Sequence, residues 1–353
     1  MNKYKIWGLS FLLYVCLLFL LIGSVTCVID PYFHYHQPLD ILSYPLSQPH
    51  YQNHGIVQHF TYDAMILGNS MTDNFRTSEL DELFGVNSVK VSTKGASFHD
   101  LRITLETALA ANPELKMVVM ALDSWFMGEF MYGPTPTDNA PTFLYDRNPF
   151  NDVEYLLNKE VLFSNSLEVL SYTAQGNQTT SFDEYCNWRD MDFGKEVALA
   201  NYTRSDKSPL DWAADDAYLA KLSAGLEREL LDLTRKYPDV TFYFYFPPYS
   251  ALFWDRSNQH SSLENDIIVL RELSAILFQE DNIRIFSFHD DFEVTTNLDF
   301  YRDDCHHTGE INSRILQCMH SGTHQITAEN YIAYWERVLA FYQSYDFDAI
   351  FAP

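Results

Sequence analysis

The chain is short of basic side chains. Its 353 residues carry 23 Lys and Arg against 48 Asp and Glu, a net charge of −25. Nucleic-acid binding relies on Lys and Arg to neutralise phosphates, so this balance argues against it. It argues equally against adhesion of the extramembrane part to anionic lipid, and acidity of this kind serves solubility. Cysteine is also scarce. Of the five, Cys16 and Cys27 fall in an apolar N-terminal run, and Cys186, Cys305 and Cys318 allow at most one intramolecular bridge. That excludes a disulfide scaffold. No Cys-x-x-Cys zinc spacing occurs, and the clustered His and Asp near the C-terminus match no compact zinc pattern, so no metal is expected. The 13 glycines are scattered with no phosphate-cradling loop, so no nucleotide or redox cofactor is expected. Internal repeats and low-complexity segments are absent.

Hydrophobic residues make up 47% of the chain, with 26 Phe and 23 Tyr, enough for a large aromatic core. Residues 6–29 carry no charge, and about 20 such residues span a bilayer as a helix. Lys3 and Lys5 precede the run and Asp30 follows it. The positive-inside rule then predicts a single-pass anchor with a cytoplasmic N-terminus and an extracytoplasmic remainder. The run exceeds the ~7–15 residues of a signal-peptide core, which favours an uncleaved anchor. Residues 30–60 are polar, Pro-rich and aromatic, and read as a stalk packed on the domain, their histidines included.

Apolar segments then alternate with amphipathic ones. Strands are predicted at Ala64–Gly68, Ser88–Ser92, 115–122, 240–246 and 283–288. Helices are predicted at 72–83, Phe98–Ala111, 217–236, 309–320 and 327–342. This alternation specifies an α/β domain over 61–353 with a parallel sheet, whose ligands bind beyond the strand C-termini. Residues 124–207, with a helical patch at 153–170, break the pattern and read as an insertion over those ends, either lid or decoration.

Two local patterns carry chemistry. Gly68-Asn69-Ser70 follows the first strand and precedes a predicted helix, a turn that lifts a Ser hydroxyl to the sheet top near a helix N-terminus. A plain Ser N-cap has the same pattern. The loop Tyr301-Arg302-Asp303-Asp304-Cys305-His306-His307-Thr308 follows the last predicted strand. An Asp three residues before a His orients the imidazole as a general base. Asp303 with His306 and Asp304 with His307 both fit, as does a polar loop in which Thr308 caps the next helix.

Taken together, the two patterns resemble the SGNH, or GDSL-type, hydrolase superfamily over residues 62–316. Gly68-Asn69-Ser70 is similar to its Gly-Asp-Ser block, Asp303-x-x-His306 to its Asp-x-x-His block, and Gly95 stands where the family has a glycine oxyanion donor. Residues 30–36 (Asp-Pro-Tyr-Phe-His-Tyr-His) and 247–250 (Pro-Pro-Tyr-Ser) resemble a group of membrane-anchored bacterial members. The resemblance implies a three-layer α/β/α, flavodoxin-like SGNH fold with a central parallel sheet behind the N-terminal transmembrane helix. It favours the Asp303–His306 frame and implies a Ser70–His306–Asp303 triad, with an oxyanion hole from the N–H groups of Ser70 and Gly95. Asn69, Asp123, Tyr249 and His307 are then expected to contact substrate. One departure stands out. The family's third block supplies an Asn donor where this chain has Asp123, and a carboxylate donates nothing unless protonated. A looser similarity links the chain to D-alanyl transfer and polysaccharide O-acetylation proteins. The expected function is an esterase or O-acyltransferase acting on acylated cell-surface glycan or a small ester. The alternative is a non-catalytic glycan-binding module, or a scaffold for an integral membrane acyltransferase. The resemblance implies a bacterial protein, in which the sequons at Asn177 and Asn201 carry little weight.

Overall fold

A computed structural model of the chain describes residues 3–124, 126–135, 141–146 and 148–352. It divides into two compact units, residues 1–61 with 138–185, and residues 62–137 with 186–353.

The larger unit is built on a six-stranded sheet of β1 (Ala64–Gly68), β2 (Ser88–Ser92), β3 (Met117–Ala121), β4 (Thr241–Phe246), β5 (Ile283–Ser287) and β6 (Gln325–Ile326). The order is β2-β1-β3-β4-β5-β6. The first five strands are parallel and β6 runs antiparallel to β5. β1, β2 and β3 are buried at every position, which suits parallel strands covered on both faces. β2 achieves this with a lysine, because the Lys90 ammonium donates to the carbonyls of Asp73 (2.6 Å) and Phe75 (2.9 Å). The chain goes from β1 to β2 on one side, then returns past β1 to β3 on the other. A crevice therefore opens beyond the C-terminal ends of β1 and β3.

Five strands fall where the sequence pattern puts them, within one or two residues at their ends. β6 is too short to have a periodic signal. The helix expected at 72–83 differs. Ser70–Thr72 form one 3₁₀ turn and the α-helix is Thr77–Phe84. Residues between them spend their side chains on tertiary bonds: Asp73 accepts from Ser92 and from the Trp188 indole (2.6 Å), and Asn74 accepts from the Trp188 N–H (2.9 Å). Ser70 therefore does not stand at an α-helix N-terminus, and no macrodipole acts on it. The 217–236 helix is continuous but relaxes into a π-helical turn at Glu227–Leu231. The last long helix is Tyr331–Ser344, starting after a turn at 327–330.

In the smaller unit the helix Lys3–Ile29 is long and apolar enough to cross a membrane. Its final turn is structural: Thr26 and Ile29 are buried, and Thr26 Oγ1 donates to the Leu156 carbonyl (3.1 Å). Asp30 follows in a left-handed conformation (φ 45°), and its buried carboxylate accepts from the N–H groups of His34, Tyr35 and His36 and from the Tyr155 hydroxyl. This accounts for the Asp-Pro-Tyr-Phe-His-Tyr-His stretch as a local fold. The expected stalk shares a core with residues 138–185, where Tyr32 clusters with Leu144, Tyr155 and Val161, and it contains an unforeseen helix Pro49–His59. A side chain at Gly55 would lie 2.3 Å from the Tyr32 carbonyl, so that helix approaches the turn backbone to backbone. The expected 124–207 insertion is divided, since 138–185 group with the smaller unit and 186–207 with the sheet. Residues 125, 136–140 and 147 of that stretch lie outside the described residues.

Candidate active site

β1 ends at Gly68, where a Cβ would lie 2.5 Å from Thr72 Cγ2, so only glycine lets the chain fold back this tightly. Asn69 then fastens the turn. Its Oδ1 accepts from the Met71 N–H (3.0 Å), its carbonyl accepts from Thr72 Oγ1 (2.8 Å), and its Nδ2 donates to Asp123 Oδ2 (3.0 Å) at the end of β3. Ser70 is the next residue, and its Oγ lies 2.8 Å from His306 Nε2.

His306 comes from the loop after β5, 236 residues away in sequence. A bridge between Tyr301 and His307 pins that loop, with the Arg302 N–H donating to the His306 carbonyl (3.1 Å). His306 Nδ1 is 2.7 Å from Asp303 Oδ2, and Asp303 Oδ1 accepts from the N–H groups of His306 (2.8 Å) and Cys305 (3.0 Å). Burial alone would raise the Asp303 pKa. The hydrogen bond and charge of His306, with those two N–H groups, outweigh it and hold the carboxyl down to about 2. An ionised carboxylate only accepts, so Nδ1 carries the proton and the Nε2 lone pair faces Ser70. This is the arrangement of a serine activated by an oriented general base.

Ser70 and His306 line a cleft of about 730 Å³ together with Gly95, Ser97, Asp123 and Phe126. Gly95 is left-handed (φ 70°), a conformation that costs glycine little. The N–H groups of Ser70 and Gly95 donate to no protein acceptor among the described residues, leaving both able to serve an incoming oxyanion. Asp123 occupies the wall as two satisfied acceptor oxygens, one toward Asn69 and one toward the Tyr249 hydroxyl (2.8 Å). It steadies Asn69, and thereby the Ser70 turn.

Two expected substrate contacts lie elsewhere. Tyr249 is buried behind Asp123, where its hydroxyl also accepts from the Ser124 N–H (2.9 Å), because the Pro-Pro turn after β4 aims the ring inward. His307 is buried, with Nδ1 3.3 Å from the Thr308 carbonyl and its ring edge-on to Tyr301. Burial lowers its pKa to about 4, so it is neutral. The second Asp/His frame does not form, since Asp304 pairs with Arg256 (2.7 Å) and its carbonyl accepts from Ser250. Thr308 begins the helix Gly309–Ser321 with no side-chain cap bond.

Sequence reasoning missed two neighbours. The Trp188 ring lies 4.6 Å from the His306 ring and is tethered through its indole N–H to Asp73. It sits in an aperiodic segment with no local signal. Cys305 lines the cleft with Sγ 3.5 Å from His306 Nδ1. Burial, then the carboxylates of Asp303, Asp304 and Asp123, push this thiol well above its ordinary pKa, so it is no thiolate nucleophile. All five cysteines are unbridged.

Comparison with known proteins gives no match: no family model, curated protein or solved structure is significantly similar to the chain.

Proposed function

We propose that this chain is a membrane-anchored serine esterase or O-acyltransferase of the SGNH type. The observation that carries this reading is the continuous hydrogen-bond chain from Ser70 Oγ through His306 to Asp303 at the wall of an open cleft. The strand order 2-1-3-4-5 is that of a flavodoxin-like sheet, which supports the same kinship. In this reading His306 Nε2 takes the Ser70 proton as Oγ attacks an acyl ester. The N–H groups of Ser70 and Gly95 receive the oxyanion. The leaving alkoxide takes the proton back from His306, and an acyl-enzyme remains on Ser70. Water, or a hydroxyl of a second substrate, then gives its proton to His306 as its oxygen takes the acyl group, and the departing Ser70 Oγ recovers that proton from His306. The apolar helix Lys3–Ile29 favours substrates at a membrane, and acylated cell-surface polysaccharide fits both features.

The test is hydrolysis of p-nitrophenyl acetate by the full-length chain in detergent. Ser70→Ala and His306→Ala are expected to lose turnover by ~10³-fold or more, while His307→Ala, where it folds, retains most of it. The acceptor-only Asp123 favours a second reading, a glycan-binding or scaffold module that keeps the fold without catalysis. Covalent labelling of Ser70 by a serine-directed phosphonate separates the two. No label and no turnover in wild type would sink the enzyme reading.

A further inference from the structure

Three different metal-ligating side chains, Asp303, Cys305 and His306, converge at the rim of the cleft, on the side of the imidazole away from Ser70. Cys305 Sγ is 3.5 Å from His306 Nδ1 and 3.6 Å from Asp303 Oδ1, and Nδ1 is 2.7 Å from Asp303 Oδ2. A tetrahedral zinc site with ordinary bond lengths places its ligand atoms about 3.5 Å apart where sulfur is one of the pair and about 3.4 Å apart for nitrogen and oxygen. The two edges from Sγ, to Nδ1 and to Oδ1, already have that length. Nδ1 lies close to the other carboxylate oxygen, Oδ2, because a proton rather than a metal joins them. Asp123, Asp303 and Asp304 make the surroundings of the thiol negative, and Arg256 and Arg302 offset this only in part. The cleft brings solvent to Cys305 and His306, leaving a path for the ion and for a water as fourth ligand.

We infer that Asp303, Cys305 and His306 Nδ1 form a site for a zinc-like divalent cation, and that filling it switches the serine off. The inhibitory part rests on the catalytic reading above, whereas the binding part stands alone. The switch follows from imidazole tautomerism. A metal on Nδ1 takes the lone pair of that nitrogen, so the neutral ring must carry its proton on Nε2. Nε2 then donates toward Ser70 instead of accepting from it, and no base remains for the hydroxyl. The Cys305 thiol loses its proton to solvent, the Nδ1 proton is replaced by one on Nε2, and Asp303 exchanges its hydrogen bond for a metal bond. One proton is released in all, and no oxidation occurs.

The experiment uses the chelator-stripped full-length chain in detergent, with cobalt(II) as spectroscopic probe and zinc as inhibitor. Cobalt is expected to produce a thiolate-to-metal charge-transfer band that saturates at one equivalent. Cys305→Ser and His306→Ala should abolish the band, while Ser70→Ala and Cys186→Ser should retain it. Zinc at saturation is expected to lower p-nitrophenyl acetate turnover at least tenfold, reversibly with EDTA. In Cys305→Ser the ratio of activity with and without zinc should approach one. Reading inhibition as a ratio within each variant removes any effect of the substitution on turnover itself. A band that survives Cys305→Ser, or no band in wild type, overturns the site. A Cys305-dependent band with undiminished turnover in zinc overturns the switch. If no form hydrolyses ester, the catalytic reading fails, and the cobalt band still decides the site.

Discussion

Asp303 illustrates how much one carboxylate decides. It is three residues from His306, holds Nδ1 in the protonated tautomer, and stays ionised because its hydrogen bonds outweigh its burial. Asp303→Asn keeps the shape but offers an N–H or a carbonyl where an ionised acceptor is needed. The expected result is a fall in kcat of roughly 10³–10⁴-fold with little change in KM, measured by steady-state ester hydrolysis. This pair was legible in the sequence because Asp-x-x-His is a local pattern that a single loop can satisfy. Tyr249 and His307 are equally close to sequence motifs, yet both are buried away from the cleft. A side chain's direction depends on how its turn packs, and neighbours in sequence do not reveal that. Trp188 is the converse case, a residue against the His306 ring that no spacing rule marks.

Among the elements, the apolar helix Lys3–Ile29 changes character along its length. Its early turns are exposed apolar surface, whereas Thr26 and Ile29 at its end are buried, and the Tyr44 hydroxyl donates to the Ile29 carbonyl (3.0 Å). A chain starting at Asp30 loses these contacts, and one starting at Gly23 keeps them. Burying Ile29 and bonding Thr26 together contribute about 2–4 kcal/mol. The shorter chain is therefore expected to melt several degrees lower and to be cut faster by protease near residues 30–60. Equal melting temperatures would show that the last helical turn is dispensable. Hydropathy predicts a membrane span, but nothing in the composition separates the exposed turns from the packed one. In the sheet, the opposite held. β1 and β3 were recognisable as short buried runs, because a strand covered on both faces needs apolar side chains at nearly every position, whereas the burial of β2 with its Lys90 was not.

Over the whole molecule, two buried histidines weaken the fold on the acid side. His289 is ringed by Phe246, Tyr249, Trp254 and Trp335 and its pKa is lowered to about 3 by burial. His307 is lowered to about 4 by the same cause. Both titrate near 6.5 in the unfolded chain. Between that pH and their folded values the unfolded state binds more protons, so stability is complete above about 6.5 and falls as the pH drops toward 4. The loss is roughly 3 kcal/mol for His307. Asp303 adds a second decline as pH falls from its ordinary 3.8 to about 2. Thermal unfolding in moderate salt, which screens the net −25 charge, is expected to show a lower midpoint at pH 5 than at pH 7.5. His289→Phe should reduce the proton uptake on unfolding at pH 5 by about one. An unchanged uptake would mean that His289 is charged in the fold. The sequence by itself determined the α/β class, the five parallel strands, the apolar helix and the two short motifs, because each rests on periodicity or on residues within one turn of each other. Tertiary structure alone decided that residues 138–185 group with the N-terminal segment, that Trp188 lies against His306, and that Asp123 secures the Ser70 turn. Those pairings join positions from 54 to more than 100 residues apart. They depend on which side chains the assembled core leaves room for, and a local pattern carries no record of that.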